Sequence, residues 1–583
     1  MTKIFQTLKK QFESATHSER LERWLPSILF TAAIFVLFYQ LGAAALFEPD
    51  EGRNAEKARE ILLLEDWLIP HENFHPVLDK PIFFYWLIAL SYKLFGVSEW
   101  AARLPAALAA LGCVVLIYNF VRRHWGGAQA LWSGLILLTS VEFFILARVV
   151  IFDMPLTFFL TLALCAFYEA CNCQDPTRRR VLCLLFYGAL GVATLIKGLI
   201  GIVIPGMVIF FYLLLSRQWP LLRRLYLVPG IILFLVIVLP WFLQAEARHD
   251  GYLRYYFWDE HFGRFSSDDF DRSESWYYFI VVGLIGFLPW TLLVPFVIAK
   301  RRRAAFDDKT LFVVLWTALP FLFFSVSKSK LPHYILPIFP PLAVLTAAQL
   351  VDLYRESAHR ARVALALTWI LHGLVALYFI AGSFAPVILP GAIRNGITRI
   401  VHQLWFYGAG AVVMLALLFF WQITGRLQGW SQRFIVQTFA MVLFLVFTMQ
   451  LITATASVRS AKELSRKVLA TATPATQVVF YDTYLAGMAF YLRSDKPLWV
   501  ITFGNKKRTF LGNYYALGKR SWPITKWGKT LMDFDEFSNQ WKSSQQPMIV
   551  MVKEKNRNRL EQQIGAAPRK IAAVDEFVLL SRP

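Results

Sequence analysis

Charge is scarce in this chain of 583 residues. Asp, Glu, Lys and Arg together make up 17% of it, where ordinary soluble domains carry about 25%. Hydrophobic residues make up 57%. The scarcity of charge excludes the several soluble domains that this length would otherwise allow, and it predicts a polytopic membrane protein.

Cysteine is also scarce. Five cysteines in 583 residues are too few for a disulfide framework. The charge that is present has one sign in excess, with a net value of +21. In a soluble protein such an excess would suggest nucleic acid, but the inner loops of membrane proteins are rich in Lys and Arg. We therefore expect membrane lipids, and no nucleic acid, as partners.

Thirteen apolar runs are long enough, or nearly so, to cross about 30 Å of hydrocarbon. They begin near Trp24, Leu104, Trp125, Met154, Val181, Gly198, Leu225, Ser275, Thr310, Leu331, Val363, Ile400 and Phe434.

A further run at residues 81–95 (PIFFYWLIALSYKLF) contains one Lys and is short for a span, which suits an interfacial or re-entrant helix. When it is left out of the count, the basic clusters at 122–123, 178–180 and 300–303 share a side with the basic N-terminus. The positive-inside rule therefore favours thirteen spans, with the N-terminus inside and the C-terminus outside.

The pattern changes from about residue 460 onward. Polar residues dominate, and short apolar runs recur at 478–481, 498–503, 548–552 and 577–580, spaced like strands between helical or loop segments. The sequence predicts a transmembrane domain at 1–458 and a small outward-facing α/β domain at 459–583. The second domain carries 21 basic and 10 acidic residues.

Acidic residues cluster directly after the first span. Glu48, Asp50 and Glu51 fall within four positions, at a membrane face where the burial of charge is costly. Asp50 could simply cap the helix predicted from about residue 53. A cap needs one carboxylate, however, and three carboxylates indicate more than capping.

Asp153 is a second isolated acid, at the outer junction of two spans and among apolar neighbours. Its burial would require a compensating cation or metal. Pairing with Arg148, five positions earlier, is the structural alternative to a catalytic role.

Cations face the same side of the membrane. Lys80, Lys197 and Lys330 lie at outer span ends or loops, where an ammonium group suits a phosphate, although lysine side chains also reach for the membrane surface without a ligand. Lys330 begins a stretch that includes Tyr334, and Arg264 could bind a phosphate through two hydrogen bonds.

Glu260 and His261 could bind a divalent metal together with a further acid such as Glu48 or Asp50. Adjacent residues on a helix point apart, however, so a structural hydrogen bond from His261 is the favoured interpretation. Taken together, separated carboxylates and several cations at an outer membrane face suit a lipid-linked phosphate donor, because the cations would stabilise the charge on the leaving phosphate.

The run at 48–56 (EPDEGRNAE) resembles the first-loop motif of the protein O-mannosyltransferase-like glycosyltransferases of the GT-C fold. Further matches follow in order at 66–70, 80–86, 197–198, 256–258, 260–265 and 330–334. Within this family the chain is most similar to the members that move 4-amino-4-deoxy-L-arabinose from undecaprenyl phosphate to lipid A phosphate groups.

The resemblance implies a GT-C fold with thirteen membrane helices, juxtamembrane helices in the first outer loop and a periplasmic C-terminal α/β domain. It implies a pentosyltransferase of the bacterial inner membrane that gives polymyxin resistance and acts as a monomer. Asp50 and Asp153 match the catalytic acids. Lys80, Arg264 and Tyr334, together with Lys330, are expected at the carrier phosphate. No cofactor is firmly implied, and a divalent metal at Glu48, Glu260 and His261 stays open.

Two alternatives remain at this point. One is the same fold with a protein or another envelope glycan as acceptor, and the other is a transporter of lipid-linked sugars. A transporter would place its ionisable residues near the bilayer midplane, whereas the acids here lie at outer span ends. A lipid A phosphate is already anionic, so Asp50 need not act as a base. We expect it to position the acceptor or a cation, or to bind the ammonium group of the sugar.

Overall fold

The computed structural model describes residues 22–263, 274–301, 307–356, 401–424, 430–456, 460–502, 530–564 and 568–582, with scattered residues between 359 and 377. Most of these residues are helical. The helices of the first half are α1 (22–38), α2 (Asp50–Leu64), α3 (Phe83–Phe95), α4 (Glu99–His124), α5 (Gly127–Thr139), α6 (Val141–Leu146), α7 (Asp153–Asn172), α8 (Pro176–Lys197), α9 (Ile200–Ser216), α10 (Leu227–Arg248) and α11 (Tyr252–Arg254).

The second half continues with a π-helical segment (Tyr255–Gly263) and then helices α12 (Tyr278–Gly286), α13 (Val294–Arg301), α14 (Asp308–Val326), α15 (Phe339–Glu356), α16 (Val401–Ile423), α17 (Trp430–Ala456), α18 (Lys462–Leu469), α19 (Gly487–Leu492), α20 (Phe534–Ser543) and α21 (Arg557–Ile564). Short 3₁₀ segments lie at Trp219–Arg224, Trp290–Leu293, Pro332–Ile338 and Glu554–Asn556.

The protein is a multi-pass membrane protein. Among the described residues, seven helical segments are long and apolar enough to cross a bilayer: Glu99–His124, Asp153–Asn172, Pro176–Lys197, Leu227–Arg248, Asp308–Val326, Pro332–Leu353 and Trp430–Gln450. An eighth is a bent pair, Tyr278–Gly286 with Trp290–Ile298, which turns by 108° at Pro289. The count of thirteen spans stays a prediction.

The first loop, between α1 and α4, has secondary structure of its own. It contains α2, a two-stranded antiparallel hairpin of β1 (His71–Glu72) and β2 (His75–Pro76), and α3. At 13 residues, α3 is about 20 Å long and therefore shorter than the hydrocarbon core. Its length fits the interfacial helix predicted at 81–95.

The C-terminal region forms a six-stranded mixed sheet of β3 (Gln477–Tyr481), β4 (Trp499–Ile501), β5 (Leu531–Met532), β6 (Met548–Lys553), β7 (Arg569–Val574) and β8 (Phe577–Ser581). Its strand order is β5-β4-β3-β6-β8-β7. The neighbours from β5 to β6 are parallel, and β8 pairs antiparallel with both β6 and β7. The small C-terminal α/β region predicted from the apolar runs is confirmed.

This sheet region packs onto α2 of the first loop. A side chain at Gly52 would meet the backbone of Gly487 at 2.6 Å, so both positions must be small for α2 and α19 to touch. Further out, Asn73 and Leu498 exchange two hydrogen bonds of 2.9 and 2.8 Å. Arg59 donates to the carbonyl of Ser494. The first loop and the C-terminal region therefore share one interface.

One buried ion pair joins the end of α1, the start of α2 and α4. Arg103 of α4 donates to both carboxylate oxygens of Glu51 at 2.9 and 2.8 Å, and both side chains are almost fully buried. The guanidinium also donates to the carbonyls of Leu41, Ala44 and Ala45 after α1. A buried charge with all its hydrogen bonds satisfied fixes this geometry.

We expect Arg103→Met to destabilise the protein strongly, because Glu51 would be left as an uncompensated buried charge. Loss of one partner of a buried pair costs about 3–5 kcal/mol. Thermal unfolding of the purified protein in detergent measures the effect. Arg466→Met, which removes an exposed partner of Glu463, is the matched control and should change stability by less than about 0.5 kcal/mol. Equal melting temperatures for the two variants would contradict the prediction.

Candidate functional site

Asp50 stands in the first turn of α2 with its side chain exposed. It does not cap the helix, since no side chain makes a capping hydrogen bond there. Within the described part of the chain Asp50 has no hydrogen bond or ion pair. Its carboxylate is accessible to a ligand, whereas the capping alternative predicted a hydrogen bond to the helix backbone.

The first turn of α2 is tied to the segment that precedes Asp153. The Val150 N–H donates to Glu51 Oε1 at 2.9 Å, and Asn54 Nδ2 donates to the Val150 carbonyl at 2.9 Å. Val150 lies three residues before Asp153. These two bonds therefore hold the backbone near Asp50 next to the backbone near Asp153. The sequence placed both acids at the outer face but did not show what links them.

Asp153 is buried, and its carboxylate forms an ion pair with Lys197. Lys197 Nζ lies 2.5 Å from Asp153 Oδ1, and His333 Nε2 lies 3.7 Å from Oδ2. Lys197 also stands over the ring of Tyr334, at 4.6 Å from its centroid. Four side chains from α7, α8 and the 332–338 segment therefore form one cluster.

The alternative pairing of Asp153 with Arg148 is wrong. Arg148 instead donates to the carbonyls of Val36, Leu37 and Tyr39 at the end of α1. The last turn of a helix leaves carbonyls without intrahelical donors, and a guanidinium can satisfy several of them at once. Spacing along the sequence could not distinguish this use of Arg148 from an ion pair.

Lys80 lies just before α3 and pairs with Glu260 of the π-helical segment at 2.9 Å. The Lys80 side chain is 22% exposed and Glu260 only 1%. Beside this pair, the Tyr255 hydroxyl donates to Asp79 Oδ1 at 3.1 Å, and burial raises the pKa of Tyr255 well above its ordinary value. An ammonium that is partly open to solvent and held by one carboxylate can exchange that partner for a phosphate.

Lys330 has a different environment from Lys80. Its ammonium group is buried and donates to the carbonyls of Glu274 and Ser275 at 2.7 and 3.3 Å. These bonds connect the 328–332 turn to the start of α12. Contact of Lys330 with the carrier phosphate stays a prediction, and Arg264 lies outside the described residues.

Among the residues that the structure describes, no group of three or more His, Cys, Asp or Glu side chains could hold a metal ion. Glu48 accepts a hydrogen bond from the Gly487 N–H at 2.8 Å, Glu260 pairs with Lys80, and the side chain of His261 is not described. A divalent metal at these three residues stays a prediction.

The first loop carries charges that the sequence did not single out. Glu72 pairs with Arg53 at 2.9 Å and with Lys57 at 3.3 Å, and Arg59 binds both oxygens of Glu56 at 2.7 Å. Burial, reinforced by the neighbouring charge of Glu56, raises the pKa of Glu60 well above its ordinary value. The stretch at 50–60 is highly charged, yet α2 is largely buried and packs against α3 and α19.

Known proteins share sequence with this chain over the region that contains the site. The family model for dolichyl-phosphate-mannose-protein mannosyltransferase matches residues 79–243. The undecaprenyl phosphate-alpha-4-amino-4-deoxy-L-arabinose arabinosyl transferase of Aeromonas salmonicida is 35% identical over 408 residues, which cover 68% of this chain and 72% of the relative. Its counterpart in Edwardsiella ictaluri is 32% identical, with 69% and 72% covered.

The chain belongs to this family of aminoarabinose transferases. It is a glycosyltransferase that uses a lipid-linked sugar donor. The crystal structure of ArnT from Cupriavidus metallidurans bound to undecaprenyl phosphate superimposes with a TM-score of 0.80 at 28% identity, covering 95% of this chain and 97% of that one. The GT-C fold predicted from the motifs is thereby confirmed.

Glu48 gives a pH-dependent signature of the interface between the first loop and the C-terminal region. Burial raises its pKa from about 4.5 to about 8, although the Gly487 N–H favours the ionised form. Between these two pH values Glu48 is protonated in the folded protein but ionised in the unfolded chain. The free energy of unfolding therefore falls as pH rises from about 4.5 to 8. We expect Glu48→Gln to become progressively more stable than the wild type between pH 5 and 8, and the difference to level off above pH 8.

Melting temperatures across this range measure the difference. Glu463→Gln, at an ion-paired and partly exposed position, is the control and should show no such trend. A Glu48→Gln difference that is independent of pH would indicate that Glu48 is ionised in the folded protein, as a metal ligand would be.

Proposed function

We propose that this protein transfers 4-amino-4-deoxy-L-arabinose from undecaprenyl phosphate to a phosphate group of lipid A. The observation that carries the proposal is the grouping of an open acid, Asp50, with the buried Asp153–Lys197 pair and the accessible Lys80. The names of the relatives state the donor and the sugar, and the similar crystal structure holds undecaprenyl phosphate.

The leaving phosphate would bind at Lys80. Transfer breaks the bond between the anomeric carbon of the sugar and an oxygen of undecaprenyl phosphate, and that oxygen gains negative charge as the bond breaks. A fixed cation beside it stabilises the transition state more than the ground state. Lys80 would exchange Glu260 for the phosphate, with Tyr334 and Arg264 as the further expected contacts.

The acceptor needs no general base. A lipid A phosphate oxygen is already ionised at neutral pH, so it can attack the anomeric carbon without losing a proton. Asp50 would therefore act through position and charge, orienting the acceptor or a cation that accompanies it. Asp153, neutralised by Lys197, would hold the geometry of the cluster that faces the sugar.

We place this chemistry at the periplasmic face of the bacterial inner membrane, and the protein as a monomer. The support for the orientation is the positive-inside pattern, which sets the basic loops in the cytoplasm and α2, α3 and the C-terminal sheet outside.

Expression in a polymyxin-sensitive strain that makes the donor lipid but lacks its own transferase tests the function. We expect lipid A to gain aminoarabinose, seen as a mass increase by mass spectrometry, together with growth at higher polymyxin concentrations. Unmodified lipid A, with protein and donor lipid both present, would contradict the proposal. A new aminoarabinose adduct on a protein or another glycan in that experiment would identify a different acceptor.

We expect Asp50→Asn to lose most transfer, by about 100-fold or more, because Asn keeps the shape of the side chain but not its charge. Lipid A modification in the same strain, normalised to the amount of protein in membranes, measures the loss. Asp535→Asn is the matched control, since Asp535 is likewise exposed in the first turn of a helix and lies away from the site. Near-normal modification by Asp50→Asn would exclude a central role for Asp50.

A further inference from the structure

Glu142 is a buried acid that the proposed chemistry does not yet use. It lies in α6 and is 8% exposed, and neither of its carboxylate oxygens has a hydrogen-bond partner in the described part of the chain. Leaving a buried carboxyl group unpaired is costly. An ionisable residue inside a membrane protein that bears this cost indicates a functional site with a partner that comes from outside.

Glu142 lies where two membrane helices are interrupted face to face. Ser140, between α5 and α6, is extended, and the opposing helix pair turns by 108° after Gly286. The two breaks are bonded to each other, because the Val141 N–H donates to the Leu288 carbonyl at 3.1 Å and Trp290 Nε1 donates to Thr139 Oγ1 at 2.9 Å. Irregular backbone at membrane depth is tolerated where it is enclosed by protein or lines a polar cavity.

The sequence makes room for the carboxylate at this junction. A side chain on Gly286 would meet Glu142 Oε2 at 2.3 Å, so the glycine leaves the space that the Glu142 carboxylate occupies. The ring of Phe339 also lies here, and its Cζ would be 3.1 Å from a Cβ placed on Gly286. The carboxylate therefore has a defined position, and no basic side chain in the described ranges pairs with it.

This position adjoins the Asp153 cluster. The helix α6 packs against α7, which carries Asp153, and against the 332–338 segment that carries His333 and Tyr334. Asp153 already has Lys197 at 2.5 Å. Lys197 neutralises Asp153, whereas Glu142 has no cation beside it among the residues that the structure describes. The site therefore has room for one more positive charge.

We infer that Glu142 binds the positively charged 4-amino group of the transferred sugar. The inference rests on the proposed function and deepens it, because it names the residue that distinguishes an aminosugar from a neutral one. A phosphate could not take this position, since the Glu142 carboxylate would repel it. Asp50 is less suited to the task, because an exposed carboxylate pairs weakly with an ammonium in water.

The experiment compares two donors in membranes or detergent: undecaprenyl phosphate carrying 4-amino-4-deoxy-L-arabinose, and the same lipid with the amino group formylated and therefore neutral. We expect the wild type to prefer the amino donor, and Glu142→Gln to reduce this preference in kcat/KM by about tenfold or more. The change should come from the amino donor, with the rate on the formylated donor altered less than about threefold.

Three controls keep the result interpretable. Glu169→Gln replaces an acid near the other end of α7, where Glu169 pairs with Arg123 and His124, and it should leave the preference unchanged. Undecaprenyl phosphate without sugar should bind Glu142→Gln and the wild type alike, which shows that the variant is folded. Glu142→Asp keeps the charge and should retain part of the preference.

An equal loss on both donors, or an unchanged preference in Glu142→Gln, would overturn the inference while leaving the proposed function intact. Failure of the wild type to transfer either donor would overturn both.

Discussion

The buried pair of Glu51 and Arg103 is the interaction on which the rest of the site depends. Glu51 receives the guanidinium of α4 and the backbone N–H of Val150, while Arg103 also binds the carbonyls that follow α1. Three membrane helices and the first outer loop thus meet at one carboxylate. Without this pair, neither the start of α2 nor the backbone before Asp153 would have a fixed position, and the two candidate acids would lose their relation to each other.

The acids near this pair differ in how their charge is compensated. Asp153 is paired with Lys197, Asp50 faces solvent, and Glu142 is buried with no cation beside it in the part of the chain that the structure describes. A site that handles a donor with both a phosphate and an ammonium needs such differences, because uniformly paired charges would leave nothing for the substrate to neutralise. The same division separates side chains that maintain the fold from those available to a ligand.

Much of the architecture could be predicted from the sequence, which also named candidate residues for the site. Hydrophobic runs and basic clusters predicted a polytopic protein with a C-terminal α/β region, and ordered motifs pointed to Asp50, Asp153, Lys80 and Tyr334. The partners could not be predicted, because Lys197 and Glu260 lie 44 and 180 positions from the residues they bind. The sequence did not single out Glu142, because a single acid in an apolar run does not show whether a basic side chain pairs with it in the fold.

The contact between Gly52 and Gly487 constrains the order in which the protein folds during synthesis. The two glycines are separated by more than four hundred residues, yet α2 reaches its final surroundings only when both are in place. During synthesis from the N-terminus, α2 can pack against Gly487 only after most of the chain has been made. A chain that stops before Gly487 therefore lacks the surface on which α2 packs, so that an incomplete copy would leave the candidate site unfinished.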